Sequence, residues 1–168
     1  MSVCRIAEDF AKLLTQMQAL QAKNAWKNVA GNDYFEPDMP EYPEQYGGDY
    51  DKATSMITLR FEVRGTRYEG RAERIEHVHA GDEICVVRDM QNAYNRNNFA
   101  IQTKDGFSVG NMPAELCNAI APLYDIGALS IYRTAVSFVA PISKRSHYAR
   151  QAVLFIELCL KVRSHDEI

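Results

Sequence analysis

Residues 57–64 read Ile57-Thr58-Leu59-Arg60-Phe61-Glu62-Val63-Arg64. Apolar and polar side chains alternate without a break, and a period of two belongs to a strand with one dry face rather than to a helix. Similar signals follow downstream. Glu83–Arg88, with Ile84, Cys85, Val86 and Val87 in a row, predicts a strand buried on both faces. Phe99–Thr103 and Phe107–Gly110 flank Lys104-Asp105-Gly106, a hairpin turn signal. One helix interrupts the strands: Pro113 suits its first position, Leu116, Ile120 and Leu123 supply an apolar face, and Gly127 ends it. Pro122 is expected to kink or split it. Leu129–Val139 and Gln151–Val162 are rich in β-branched and aromatic residues. The second alternates through Ala152, Leu154, Ile156, Leu158, Leu160 and Val162. The expected fold class is mainly β with an internal helix, a small OB- or SH3-like barrel of six or seven strands.

Upstream the period changes. Val3, Ile6, Phe10, Leu13, Met17 and Leu20 recur at spacings of three and four, an a/d stripe with Asn24 on the next a position. Ser2 as N-cap and Gly31 just past the end predict an amphipathic helix over residues 3–29. A stripe this narrow can lie on the main domain or pair with its twin in a homodimer. From Asn32 to Asp51 three prolines and a Gly-Gly in an acidic setting argue against a regular element, so a linker is expected. Its aromatic residues Tyr34, Phe35, Tyr42, Tyr46 and Tyr50 suggest that part of it docks on the core. The predicted organisation is an N-terminal helix at 1–30, an acidic Pro/Tyr-rich linker at 31–54, a β-barrel domain at 55–163 and a tail at 164–168.

Composition narrows the function classes. With 168 residues and 46% hydrophobic content, the chain suits one core with an appended element. A net charge of −3 supplies no global basic field, so any contact with nucleic acid must be local. Residues 1–50 hold four basic residues (Arg5, Lys12, Lys23, Lys27) against eight acidic ones, whereas residues 56–110 hold eight of each. The four cysteines, Cys4, Cys85, Cys117 and Cys159, are widely spaced. With no C-x-x-C and no signal peptide expected, they read as reduced, mostly buried thiols. No stretch approaches the roughly 20 apolar residues that span a bilayer. The expectation is a soluble intracellular protein, cytoplasmic in a bacterium or nuclear in a eukaryote, with no membrane partner. His77 and His79, near Asp82 and Cys85, can be imagined as a zinc site, but metal spacings are missing and a solvent-facing strand pair is the simpler reading. Cys117 has no histidine placed to activate it. Gly-rich phosphate loops, paired catalytic carboxylates and nucleophile elbows are absent from the sequence, so neither enzymatic activity nor a cofactor is expected.

Chemistry concentrates between Arg88 and Leu116. Tyr94 stands among Gln91, Asn92, Asn95, Asn97 and Asn98, a flat stacking face beside hydrogen-bonding amides. An unpaired base and its sugar require that combination. The same residues also suit plain turn chemistry, because asparagine tolerates left-handed geometry and bonds its own backbone. Lys144-Arg145-Ser146-His147-Tyr148-Ala149-Arg150 is the one compact basic run, either a solvated loop or an extension of a phosphate track.

Residues 57–140 resemble a HIRAN domain, the module found at the N-terminus of helicase-like transcription factor and as free-standing bacterial proteins. The likeness rests on Gly65-Thr66-Arg67-Tyr68-Glu69-Gly70, Ala80-Gly81-Asp82, Arg88-Asp89, Asn92-Ala93-Tyr94-Asn95, Ala100-Ile101 and Val109-Gly110-Asn111-Met112-Pro113, in that order. It implies an OB-like barrel that captures single-stranded DNA with the free 3′-hydroxyl end in a pocket. By the same resemblance Arg67 faces phosphate, Tyr68 and Tyr94 face bases, and Gln91 and Asn92 form the polar pair ahead of Tyr94. Asn95 stands where the family usually has Asp, a carboxylate that accepts the terminal hydroxyl's proton. Ala93 replaces the usual Pro, and the stretch to Phe99 is about two residues longer than typical. Asn111 falls at a contacting position, and Tyr148 is a candidate further wall. The function so implied is a noncatalytic single-stranded-DNA module in repair or replication-fork processing, with a helicase or nuclease as partner. The alternative is an assembly module that self-associates through its N-terminal helix.

Overall fold

The computed structural model describes residues 3–29, 45–145 and 151–163. In chain order these form α1 (Val3–Val29), β1 (Asp49–Asp51), β2 (Met56–Glu62), α2 (Arg71–Ile75), β3 (Cys85–Arg88), β4 (Phe99–Gln102), β5 (Ser108–Asn111), α3 (Ala114–Asp125), β6 (Leu129–Ala140) and β7 (Val153–Val162). A single 3-10 turn, Ile142–Lys144, follows β6.

The alternation at 57–63 folds as read: Ile57, Leu59, Phe61 and Val63 are buried while their neighbours are not. β2 pairs antiparallel with β7, from Met56 opposite Lys161 to Glu62 opposite Phe155, and β6 covers the other edge of β7. The resulting sheet has the order β1-β2-β7-β6, and a second antiparallel sheet has the order β3-β4-β5. The molecule is therefore mainly β, with seven strands in two sheets. A closed barrel does not form. Among the described residues two isolated bridges, Arg64 with Asn111 and Glu83 with Ala135, join the sheets at their edges, the second reinforced by Gly81 N–H donating to Val136 O at 2.8 Å and Thr134 Oγ1 donating to Ile84 O. Paired along those bridges the strands make a circuit β2-β7-β6-β3-β4-β5, an OB-like arrangement with two thin seams.

Gly110 explains why one seam can be so close. Its φ is +152°, and a Cβ there would lie 2.3 Å from Val63 Cγ1 and 2.5 Å from the Arg64 carbonyl oxygen. No side chain fits that gap.

Five expectations are corrected. β3 is not dry on both faces, since Val87 is exposed, because β3 is an edge of the short sheet over most of its length. Pro122 does not split α3, which runs unbroken to Asp125, and Pro113 caps the helix in an extended conformation instead of opening it. The segment read as linker contains a regular element, β1, whose residues pair with Met56–Thr58, while its Tyr46 is buried on the core as the aromatic residues there suggested. The Tyr46 N–H donates to Arg60 O at 2.7 Å and its hydroxyl to Glu115 Oε1 at 2.7 Å. Burial, reinforced by that carboxylate, pushes the phenol well above its usual range. Finally, His77 and His79 lie in a turn after α2 and not on a strand, and no group of three metal-ligating side chains occurs among the described residues.

The N-terminal stripe is used within the molecule. Ile6, Ala7, Phe10, Leu14 and Met17 are buried, while Leu13 is half-buried and Leu20 exposed. Those spacings follow 3.6 residues per turn, the period of a helix lying on a globular core, where a coiled-coil seam keeps 3.5. Leu14 reaches the backbone at Gly48, with its Cδ1 3.4 Å from where a Cβ would stand. No described helix is long and apolar enough to cross a membrane.

Candidate nucleic-acid interface

Beyond β2 the chain pairs once more, at Arg64 with Asn111, and then turns at Gly65, whose φ of +75° suits glycine. Thr66 is buried and its hydroxyl donates to Ala152 O at 2.9 Å, which fixes the turn to the start of β7. Arg67 and Tyr68 are thereby pushed outward. Arg67 Nη2 donates to the Tyr68 hydroxyl at 2.8 Å, and its guanidinium lies 5.0 Å from the ring centroid. The two act as one unit, a half-exposed ring with a cation at its edge. α2 follows at once, anchored by buried Ile75, and Arg71 Nη1 reaches back to Gly65 O at 2.9 Å.

The second loop, Asp89–Asn98, carries its amides mostly as internal struts. Asn92 Oδ1 accepts from the N–H groups of Tyr94 and Asn95, both at 3.0 Å. Asn95 Oδ1 accepts from Asn97 N at 3.0 Å, and the side-chain amides of Asn95 and Asn97 both donate to Asn118 Oδ1 on α3, at 3.1 and 3.2 Å. Arg88 grips the loop's far end. Its Nη1 donates to Arg96 O at 2.6 Å and Asn98 O at 3.1 Å, while Nε and Nη2 bind the two carboxylate oxygens of Asp125, each at 3.0 Å. Those bonds hold the Asp125 carboxyl below the usual range. On this braced platform Tyr94 is 98% exposed, and its ring contributes nothing to the core.

Asn111 is the junction. Asn98 is buried, and its Nδ2 donates both to Asp89 Oδ2 at 3.2 Å and to Asn111 Oδ1 at 2.9 Å. A carboxylate only accepts, so Asn98 must present nitrogen there and Asn111 must present oxygen to it. The Asn111 Nδ2 therefore faces the opposite way, toward Gly65, 3.7 Å from where a Cβ would stand. Through its backbone bridge to Arg64 and this amide chain, one residue at the end of β5 ties the Arg67–Tyr68 turn to the Asn-rich loop.

The structure thus gathers Tyr68, Asn111 and the base of the 89–98 loop. No hydrogen bond or ring contact among the described residues joins Tyr94 to Tyr68. Gln91 is exposed, with its backbone N–H on Asp89 Oδ1 at 3.2 Å. Asn92 and Asn95 act first on their own loop. Tyr148 lies outside the described residues. Arg71, Asp125 and Asn118 are part of the framework but carry no signal in the sequence, whereas Arg88 and Asp89 stand in the sequence only as a family motif. A groove of about 410 Å³ opens elsewhere, between Arg74, Ile84, Lys104 and Phe107, and its charges are mixed: Lys104 is already paired with Glu83 at 3.1 Å. Cys117, buried and pushed up to about 11 by that burial, is no nucleophile near neutral pH.

Residues 56–153 match the model of the HIRAN domain. This chain belongs to the HIRAN domain family. Solved structures similar to this HIRAN domain include the crystal structure of the HIRAN domain of human HLTF, at 24% identity and TM-score 0.44 over 62% of this chain and 76% of that one. A protein from Lactobacillus plantarum gives 18% identity and TM-score 0.48, over 62% of this chain and 95% of that one. The HLTF HIRAN domain in its DNA-bound conformation gives 21% identity and TM-score 0.42, over 63% and 76% of the two chains. No curated protein matches the chain in sequence.

Proposed function

We propose that this HIRAN domain is a noncatalytic DNA-binding module that takes single-stranded DNA, its free 3′-hydroxyl end in particular, in repair or replication-fork processing beside a helicase or nuclease. Tyr94 carries the reading: a fully presented ring on a loop whose own amides, Arg88 and Asn118 hold it still. Stacking on a pre-ordered aromatic contributes about 1–3 kcal/mol per base by alanine substitution. Family membership supports the assignment, since HLTF's HIRAN domain has been solved in a DNA-bound conformation. Tyr68 with Arg67 supplies a second ring and a local cation in a chain of net charge −3. The occupied Asn95 side chain leaves end selectivity to Asn111, Gln91 and backbone groups.

The test is a polarisation titration of short strands with free and blocked 3′ ends, at several salt concentrations, repeated with Tyr94→Ala. Binding that weakens with salt and with Tyr94→Ala is expected, with preference for the free end. No binding at low salt would end the reading, and equal affinity for both ends would reduce it to general strand binding.

A further inference from the structure

The groove between α2 and the β4–β5 hairpin offers a third aromatic face, away from Tyr68 and Tyr94. Its space of about 410 Å³ lies within the range of small-ligand sites, and Val78 and Ile84, both buried, give it an apolar floor. Phe107 forms part of the wall and stays 50% exposed, although the Arg74 guanidinium lies 4.4 Å from its ring centroid. A ring left open beside a cavity is available for stacking. Among the described residues no carboxylate pairs with Arg74, whose Nη1 makes one long contact, 3.5 Å, to Glu69 O. Arg74 therefore spans from the residue after Tyr68 to the Phe107 ring.

The charges of the groove select its ligand. Asp82, Glu83 and Asp105 line it together with Arg74 and Lys104, so a phosphate would meet repulsion as well as attraction. A nucleobase is flat and neutral, and its edge carries donors and acceptors that suit both signs. Resting on the DNA-binding reading above, we propose that this groove takes a further base of the bound strand, beyond those at Tyr68 and Tyr94, stacked on Phe107 beside Arg74. The sugar and phosphate of that nucleotide stay in solvent. The footprint of the strand then extends past the Tyr68 turn to the β4–β5 hairpin.

Two measurements test this on the full chain. First, affinity is compared for short single strands with one abasic site at successive positions, using wild type, Phe107→Ala, Phe107→Tyr and Arg74→Gln, with thermal melting alongside. In wild type, losing the base at one position insensitive to Tyr94→Ala should weaken binding about fivefold or more. Phe107→Ala should weaken the intact strand equally and add nothing on the strand abasic at that position, while Phe107→Tyr restores binding. Arg74→Gln should cost about twofold to fivefold. A merely structural role for Phe107 would lower affinity for every strand alike. Such a uniform loss, or no loss, overturns the groove, while wild-type binding leaves the DNA reading standing. If Phe107→Ala fails to fold, Arg74→Gln on the same strands applies the same criterion. Second, the Phe107 ring and Arg74 Nε–H resonances are followed by NMR during titration with deoxyadenosine monophosphate and, separately, deoxyribose 5-phosphate, which lacks the base. Shifts with the nucleotide and little with the sugar phosphate are expected, and equal shifts or none overturn the base assignment. A nucleotide response in a protein that binds no oligonucleotide upholds the groove and removes the DNA reading.

Discussion

The two sheets divide the labour of the molecule. β6 and β7 pair from Leu129 opposite Val162 to Ala140 opposite Val153, with two register shifts, and β7 also carries all of β2. The strands of the second sheet are four residues each, and its loops expose Met90, Tyr94 and Phe107. One sheet is built by long ladders and a continuous core. The other has short ladders that add Phe99, Ile101 and Val109 to the same core, and its 89–98 loop is braced by side-chain hydrogen bonds from Asn, Asp and Arg to backbone and to one another. The difference teaches that the candidate site is stabilised by polar bracing, which can be altered piece by piece without dissolving the core.

Breaking the first sheet should have the largest effect. Phe61→Ala empties a fully buried position opposite Ile156 and should cost about 3–5 kcal/mol in denaturant unfolding. Gly110→Ala attacks the seam, and the required shift of Val63 and Arg64 should cost about 1–3 kcal/mol. A denaturation midpoint unchanged from wild type would refute the close approach. Arg88→Ala strips the far end of the 89–98 loop of bonds to a charged donor, each contributing about 1.5–3 kcal/mol at most. Loop amides such as Asn98 should exchange faster while those of β7 do not. The same loop has a pH signature. Asp125 has a folded value below its ordinary one, so its contribution is present above about pH 4 and is lost as pH falls through the lower folded value. Loop protection relative to intrinsic exchange should fall only in acid, and Asp125→Asn should erase that dependence. Tyr94→Ala should leave stability within about 0.5 kcal/mol of wild type. Its strand affinity should nevertheless fall by about 1–3 kcal/mol. A large stability loss there would mean that the two sheets are not separable in this way.

Periodicity made most of the fold readable, because burial imposes it directly: β2, β7 and α1 each repeat at the interval their geometry demands. Turn chemistry found the Lys104-Asp105-Gly106 hairpin, where Gly106 N donates to Thr103 O at 2.9 Å. Short elements escaped. α2 has five residues, too few to show a helical period, and β1 pairs through backbone groups that any side chains permit. In the candidate site, Tyr94 is visible as an aromatic among amides, while Tyr68 is reached only through the family resemblance. The Asp89–Asn98–Asn111 chain is not visible, since its members come from the two ends of a loop and the end of β5, and only topology brings them together. The number of asparagines in the loop suggested ligand contacts, whereas Asn92, Asn95 and Asn97 are spent largely on the loop itself. Sequence names the residue types that can brace or bind, but geometry decides which they do.

The two thin seams have a further consequence. A strand boundary closed by a full ladder opens only with global unfolding, whereas one closed by a single bridge opens at the expense of a few hydrogen bonds. The three-stranded sheet is therefore expected to loosen first along its edges, at Arg64–Asn111 and Glu83–Ala135, while β2, β7 and β6 stay paired and the shared core holds both sheets. Asn111 sits on one of those edges. A ligand gripping both the Tyr68 turn and the 89–98 loop would staple that boundary shut, so occupancy should be readable as slowed amide exchange along β3, β4 and β5, far more than as any change in shape.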